Sequence, residues 1–363
     1  MRVPRDDLAG CEIGWYVHHQ GAGHLARATV LATAAARSLG AAVTGLSSGA
    51  RPRGWPGGWI EIPRDDDGVV PEADHDDVDA GGRLHWAPRH HAGLAARGSA
   101  MSRYFAEARP RLMVVDVSAE AALLARLHGV PVLSVVVPGS REDAAHELAF
   151  DISTTLVGFW PEGATSSLLR ASAKTMARVA ALGGLSRYDG LAAADGPGSR
   201  SSERRRRVVL LARRGGDDWS PALVERMRRD APDWAWTVLG PASIGGRWHP
   251  EPADLLREAD VVVTHAGQNA IAEVAALRRP AVVLPARRPH AEQMLTAAAL
   301  GDLGLPAVVT APDGRSFSDA LERAAALDGR AWRHWNDGRA AHRFVQTLRQ
   351  TITGTALTAP GAA

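Results

Sequence analysis

Residues Asp260–Glu273, DVVVTHAGQNAIAE, decide the fold. The apolar run up to Thr264 reads as a strand buried on both faces, and the chain then turns at Gly267 straight into an Ala/Ile-rich helical stretch. Strand, glycine turn and helix together make one unit of a parallel α/β sheet. The unpaired N–H groups near Gln268 and Asn269 lie at the positive end of that helix, a seat for a diphosphate. His265 adds a donor to the same phosphates. Glu273 follows Asn269 by one helical turn on the same face, where its carboxylate can accept hydrogen bonds from a ribose diol.

Working outward, the second half repeats this alternation. Strands are expected at Val208–Ala212, Ala235–Leu239, Asp260–Thr264, Ala281–Leu284 and Ala307–Val309, with helices near Pro221–Arg229, Asn269–Leu277, Ala291–Leu300 and Phe317–Leu327. A last helix runs from about Ala331 to Gln350. The first half has strands near Glu12–His18, Ala41–Leu46, Trp59–Ile62, Leu112–Asp116 and Pro131–Val136, and helices at Leu25–Leu39, His91–Ala108 and Ser118–His128. Between the halves, Gly, Pro and Ser replace any apolar period, which marks a linker. The expected division is a first α/β domain over 1–190, a linker over 191–207, a second domain over 208–330, a final helix over 331–353 and a disordered tail over 354–363.

With 363 residues the chain has ample surface for two cores. No apolar run reaches the ~20 residues of a membrane span. Forty-two basic residues offset forty acidic ones, and almost every base is arginine, spread along the chain rather than gathered in a stripe. This argues against a nucleic-acid partner. Cys11 is the single cysteine, so an intrachain disulfide and a cysteine zinc site are excluded, and a reducing, cytoplasmic setting is expected. The N-terminal stretch lacks the apolar core of an export signal. Arg64–Asp79, rich in acids, reads as an exposed loop, since Asp65-Asp66-Asp67-Gly68 lacks the spacing of a calcium loop.

The first strand leads into His18–Ala28, HHQGAGHLARA, where Gly21 and Gly23 turn the chain into a helix and let its backbone approach a ligand. His19 belongs to the same loop. Gly21-x-Gly23-x-x-Ala26 fits a relaxed dinucleotide fingerprint, but the second strand ends Thr44-Gly45-Leu46-Ser47-Ser48 without an acid for a ribose hydroxyl. His24 at the helix start can take a proton from a hydroxyl, oriented by Asp116 at the end of an apolar strand; the bland alternative makes the two a helix-start hydrogen bonder and a cap. Trp248 offers a flat face for a nucleobase or, equally, a core tryptophan. A metal site among His18, His19, His24, His85, His90 and His91 lacks a ligand spacing, and none is expected.

His265, Gly267, Asn269 and Glu273, preceded by Trp248-His249-Pro250 and followed by Glu292-Gln293, resemble the nucleotide-sugar box of GT-B glycosyltransferases, both plant-type UDP-glycosyltransferases and the MurG-like family 28. Gly21–Ala26 resembles the glycine-histidine turn of the same enzymes. The resemblance implies two Rossmann-like domains facing across a cleft, acceptor in the first and nucleotide sugar in the second, with the final helix crossing back. It implies that Trp248 stacks the base, that His265 and Asn269 contact phosphate beside Gly267 and Gln268, that Glu273 holds ribose, and that Glu292 and Gln293 bind donor-sugar hydroxyls. His24 would be the base and Asp116 its partner. Ala270 departs from the plant-type serine, and Arg213-Arg214-Gly215-Gly216 replaces a small-residue loop, so that Arg213 can neutralise the leaving diphosphate in place of a metal.

The expected activity is inverting, metal-independent and cofactor-free transfer of a sugar, by family analogy from UDP, to an acceptor hydroxyl whose identity the loops Arg64–Pro88 and Val137–Trp160 do not disclose. Peripheral membrane contact is compatible with a MurG-like enzyme. The rivals are a nucleotide-sugar 2-epimerase, whose arginine-proline-glutamate turn is absent, and a non-catalytic sugar-nucleotide binding protein.

Overall fold

The computed structural model describes residues 8–19, 22–67, 76–191, 205–212, 219–249, 251–311 and 316–354. Gly21, Arg213, Pro250 and most of the expected linker and tail lie outside them. In the first domain the strands are β1 (Glu12–Val17), β2 (Ala42–Ser47), β3 (Gly58–Glu61), β4 (Leu112–Asp116), β5 (Val132–Val136), the two-residue β6 (Gly139–Ser140), β7 (Thr155–Gly158), the two-residue β8 (Leu169–Arg170) and β9 (Val179–Ala181). In the second they are β10 (Arg207–Leu211), β11 (Ala235–Leu239), β12 (Val261–Thr264), β13 (Ala281–Val283) and β14 (Ala307–Val309).

Seven strands pair in the order β3-β2-β1-β4-β5-β7-β9 and five in the order β11-β10-β12-β13-β14, with every pairing parallel. Parallel strands need helical crossovers on both faces, which is why β1, β4, β5 and β12 are buried almost throughout. In each sheet the strand order reverses at one place, between β1 and β4 and between β10 and β12. At such a switch point neighbouring crossovers depart to opposite faces and leave a crevice at the carboxyl ends of the strands. Val17 pairs with Asp116 at one crevice and Leu211 with Thr264 at the other.

Two expectations change, and one strand is added. Val137–Trp160 is not a loop, because it holds the helix Ala144–Ile152, capped by Asp143, and strand β7. Its short apolar turns leave too little periodicity to read without neighbours. The stretch from Ala331 is not one helix: a 3-10 turn over Gly329–His334 is followed, after Gly338 at a φ of 76°, by the helix Ala340–Thr353. Strand β9, whose three residues are only partly buried, was also unsignalled.

The helix Ala340–Thr353 packs on the first domain, where Phe344 lies 5.6 Å from Trp15 and 6.2 Å from Phe159, ring to ring, and Leu348 joins Leu31 and Ile13 in one apolar cluster. A second cluster spans the domains, uniting Val136, Trp160, Leu168 and Tyr188 with Val274, Leu300 and Trp332. No helix among the described residues is long and apolar enough to cross a membrane.

Candidate active site

The two crevices open onto a single cavity of about 830 Å³ lined by both domains. His18 and His24 stand on the first wall, and Trp248, His265, Gly267, Gln268, Asn269, Glu273, Glu292 and Gln293 on the second. The helices Ala22–Leu39 and Gln268–Ala276 point their N-termini at the same space. The second is capped by Gly267, which has no side chain to satisfy the first N–H groups.

Asp116 is buried at the end of β4, and its Oδ1 accepts hydrogen bonds from His24 Nδ1 at 3.1 Å and from Arg27 Nη2 at 2.5 Å. The two donor nitrogens lie 3.1 Å apart because they share that oxygen. With Nδ1–H turned to Asp116, the remaining imidazole nitrogen, Nε2, is the basic one. Burial alone would raise the Asp116 carboxyl, but the Arg27 guanidinium, and after it His24, hold it well below the ordinary carboxylate range. The next residue, Val117, lines the cavity at a φ of 54°, a left-handed conformation costly for a β-branched side chain.

Gly23 allows a close approach across the cleft, since a Cβ there would come 2.0 Å from Asn269 Nδ2 and displace that carboxamide. Asn269 therefore faces the glycine turn as well as the cavity. His19 does not join the cavity; its Nε2 meets Asp66 Oδ2 at 3.1 Å while its ring stacks on His18. His18 takes the place expected of His19, and burial pushes its imidazole down to about 4, so it is neutral at physiological pH.

On the donor side, Trp248 is 41% exposed on the cavity wall, which excludes a core role. His265 Nδ1–H donates to the Leu284 carbonyl at 2.7 Å, and its ring stacks on Trp219. The neutral ring has no second N–H, so it can donate to phosphate only as imidazolium. Glu273 is buried, and its Oε1 accepts from Arg187 Nε at 3.1 Å, so a ribose would share the carboxylate with that arginine. Gln293 Oε1 accepts from the Ala286 N–H at 2.9 Å, which commits its carbonyl to the loop after β13.

Sequence reasoning missed Arg27, Arg141, Arg187 and His290, all on the cavity wall. Only Arg27 carried a signal, its spacing of one helical turn from His24. The histidines also fall into different groups from those of the metal reading. His85 lies beside His146 and Asp143, where Arg141 Nη1 donates to His146 Nε2 at 3.2 Å and so places the ring proton on Nδ1, facing Asp143 Oδ2 at 2.6 Å. A neutral imidazole in that tautomer has no lone pair to offer a metal at Nδ1.

Residues 243–313 match the sequence model described as the glycosyltransferase family 28 C-terminal domain. No curated protein matches the chain by sequence. Among solved structures, the glycotransferase of kitacinnamycin is 16% identical with a TM-score of 0.64, over 95% of this chain and 100% of that one. MurG of Acinetobacter baumannii is 14% identical with a TM-score of 0.61, over 93% and 99%. The Streptomyces sp. SF2575 glycosyltransferase SsfS6, complexed with thymidine diphosphate, is 13% identical with a TM-score of 0.61, over 94% and 99%. The fold is thus GT-B, two Rossmann-like domains across a cleft. Its second domain carries the sequence pattern of family 28 glycosyltransferases.

Proposed function

We propose that the protein transfers a sugar from a nucleotide-sugar donor, with a UDP-sugar as the expected one, to an acceptor hydroxyl, with inversion and without a metal. The observation that carries this reading is the placement of the His24–Asp116 pair opposite the glycine-capped start of the helix Gln268–Ala276 on one cavity. His24 Nε2 removes the hydroxyl proton as the oxygen attacks the anomeric carbon. The bond to the diphosphate breaks on the other side, and the diphosphate leaves toward the helix N-terminus. A single displacement of this kind inverts the anomeric centre. Arg187 and Arg288 on the cavity wall support charge neutralisation by side chains. The thymidine diphosphate bound to SsfS6 makes TDP the first competitor of UDP.

The test is titration with UDP, TDP, GDP and NAD, followed by tryptophan fluorescence and thermal stability, with Glu273→Ala as control. One nucleoside diphosphate should stabilise the protein saturably, with the effect lost in the variant and retained in EDTA. Binding of NAD alone, or of nothing, would overturn the reading. Conversion of the donor sugar to an isomer without any acceptor would replace transfer by epimerisation.

A further inference from the structure

Arg27 touches both halves of the proposed machinery. Its Nη2 bonds Asp116 Oδ1, the oxygen that also holds His24, while its Nη1 donates to Gln268 Oε1 at 2.7 Å across the domain boundary. Gln268 opens the helix whose N-terminus faces the cavity, and its own Nε2 donates to the Phe159 carbonyl at 3.3 Å. Arg27 is buried and its guanidinium lies 6.0 Å from the centre of the Phe159 ring, so it has little room to exchange one partner without loosening the other.

We propose that Arg27 is a positioning residue that links the two sites: through Gln268 it transmits occupancy of the diphosphate seat to the His24–Asp116 pair, so that nucleotide binding and proton uptake by His24 are coupled. The inference rests on the nucleotide-binding reading above. Its direction follows from charge. An anion at the start of the helix Gln268–Ala276 draws the guanidinium and its carboxamide partner toward the cavity, which leaves more of the Asp116 charge to His24 and favours the imidazolium. By reciprocity the nucleotide binds more tightly as His24 takes up its proton. Among the described residues, the charged and titratable groups facing His24 are Asp116 from β4, Arg27 from its own helix and His18 from the end of β1, 5.9 Å away ring to ring. His18 is pushed down to about 4 by burial, so it stays neutral over the pH range of the test.

An anion also acts on His24 directly through space, and variants that keep every charge separate the two routes. Gln268→Ala removes the relay and no charge, and Arg27→Lys keeps the cation but cannot bridge both partners. The imidazole nitrogens of the whole protein are followed by NMR over pH 5 to 9, with and without saturating UDP or TDP, and the nucleotide Kd is measured across the same range. In the wild type the His24 titration should move up by about one unit with nucleotide, with a matching change of about tenfold in Kd. In both variants, each compared at a nucleotide concentration that saturates it, the shift should fall by more than half. An equal shift in all three proteins, or none in the wild type, would overturn the relay and leave the functional reading standing. Absence of binding by either nucleotide to the wild type would overturn both.

Discussion

At the residue scale the site turns on one carboxylate oxygen that serves two donors. Asp116 without Arg27 would be an ordinary orienting acid for His24; with it, the carboxylate remains ionised in a buried position where burial alone would favour the neutral form. A carboxyl whose folded pKa is depressed contributes stability above its unfolded value of 3.8, and that contribution is lost as pH falls through the folded value. Asp116→Asn should therefore cost about 3 kcal/mol at neutral pH, because it leaves the Arg27 charge buried without its counterion. The difference from wild type should shrink as urea denaturation is repeated from pH 5 down to pH 2. A constant difference would mean that the pair does not titrate. His24→Ala should lower turnover by about 10²- to 10⁴-fold, the usual contribution of a general base, without changing the Kd of a nucleoside diphosphate at pH 9, where coupling to an imidazolium is absent. A parallel loss of nucleotide affinity would move His24 into the binding site instead.

At the scale of elements, two features position the site from outside it. The helix Ala340–Thr353 belongs by sequence to the second half but fills the first domain's core, with Phe344 and Leu348 fully buried there. Thr351 Oγ1 lies 2.9 Å from Thr155 Oγ1 on β7, and Arg343 Nη1 donates to the Leu182 carbonyl. Phe344→Ala should cost about 3–5 kcal/mol of unfolding free energy, measured by denaturant titration, because the cavity would open between Trp15 and Phe159. A cost below 1 kcal/mol would show that the helix only rests on the domain. The glycine turn is the second feature. Gly23→Ala places a methyl group against the Asn269 carboxamide and should turn that side chain away from the glycine turn. Turnover should fall while the melting temperature changes little, since the clash is at the cleft and not in either core.

For the whole molecule, the walls of the cleft are joined by an apolar cluster beneath it and by polar bridges across it, Arg27 to Gln268 and Arg187 to Glu273. Such a joint lets a ligand held by one domain be felt in the other. A nucleoside diphosphate at a hundredfold excess over its Kd should add about 2.7 kcal/mol to the unfolding free energy. Amide exchange should slow not only around Gly267–Glu273 but also at the start of the helix Ala22–Leu39. Protection confined to the second domain would show that the two domains respond independently.

The amino-acid sequence by itself determined the α/β alternation, the helix start at Gly267 and the row from His265 to Glu273, and it offered the pairing of His24 with Asp116 beside a capping alternative. These are local patterns: a buried parallel strand announces itself by a continuous apolar run, and a helix start by the glycine that turns into it. The family 28 match then fell on residues 243–313, across that same row. Tertiary structure alone decided which partners those residues take. Arg187 reaches Glu273 over 86 positions and Arg27 reaches Gln268 over 241, and no periodicity encodes contacts between separate domains. It also decided that His18, not His19, faces the cavity and that Val137–Trp160 is ordered as a helix and a strand. Each of these depends on burial against surfaces distant in the chain, which exists only once both sheets have formed.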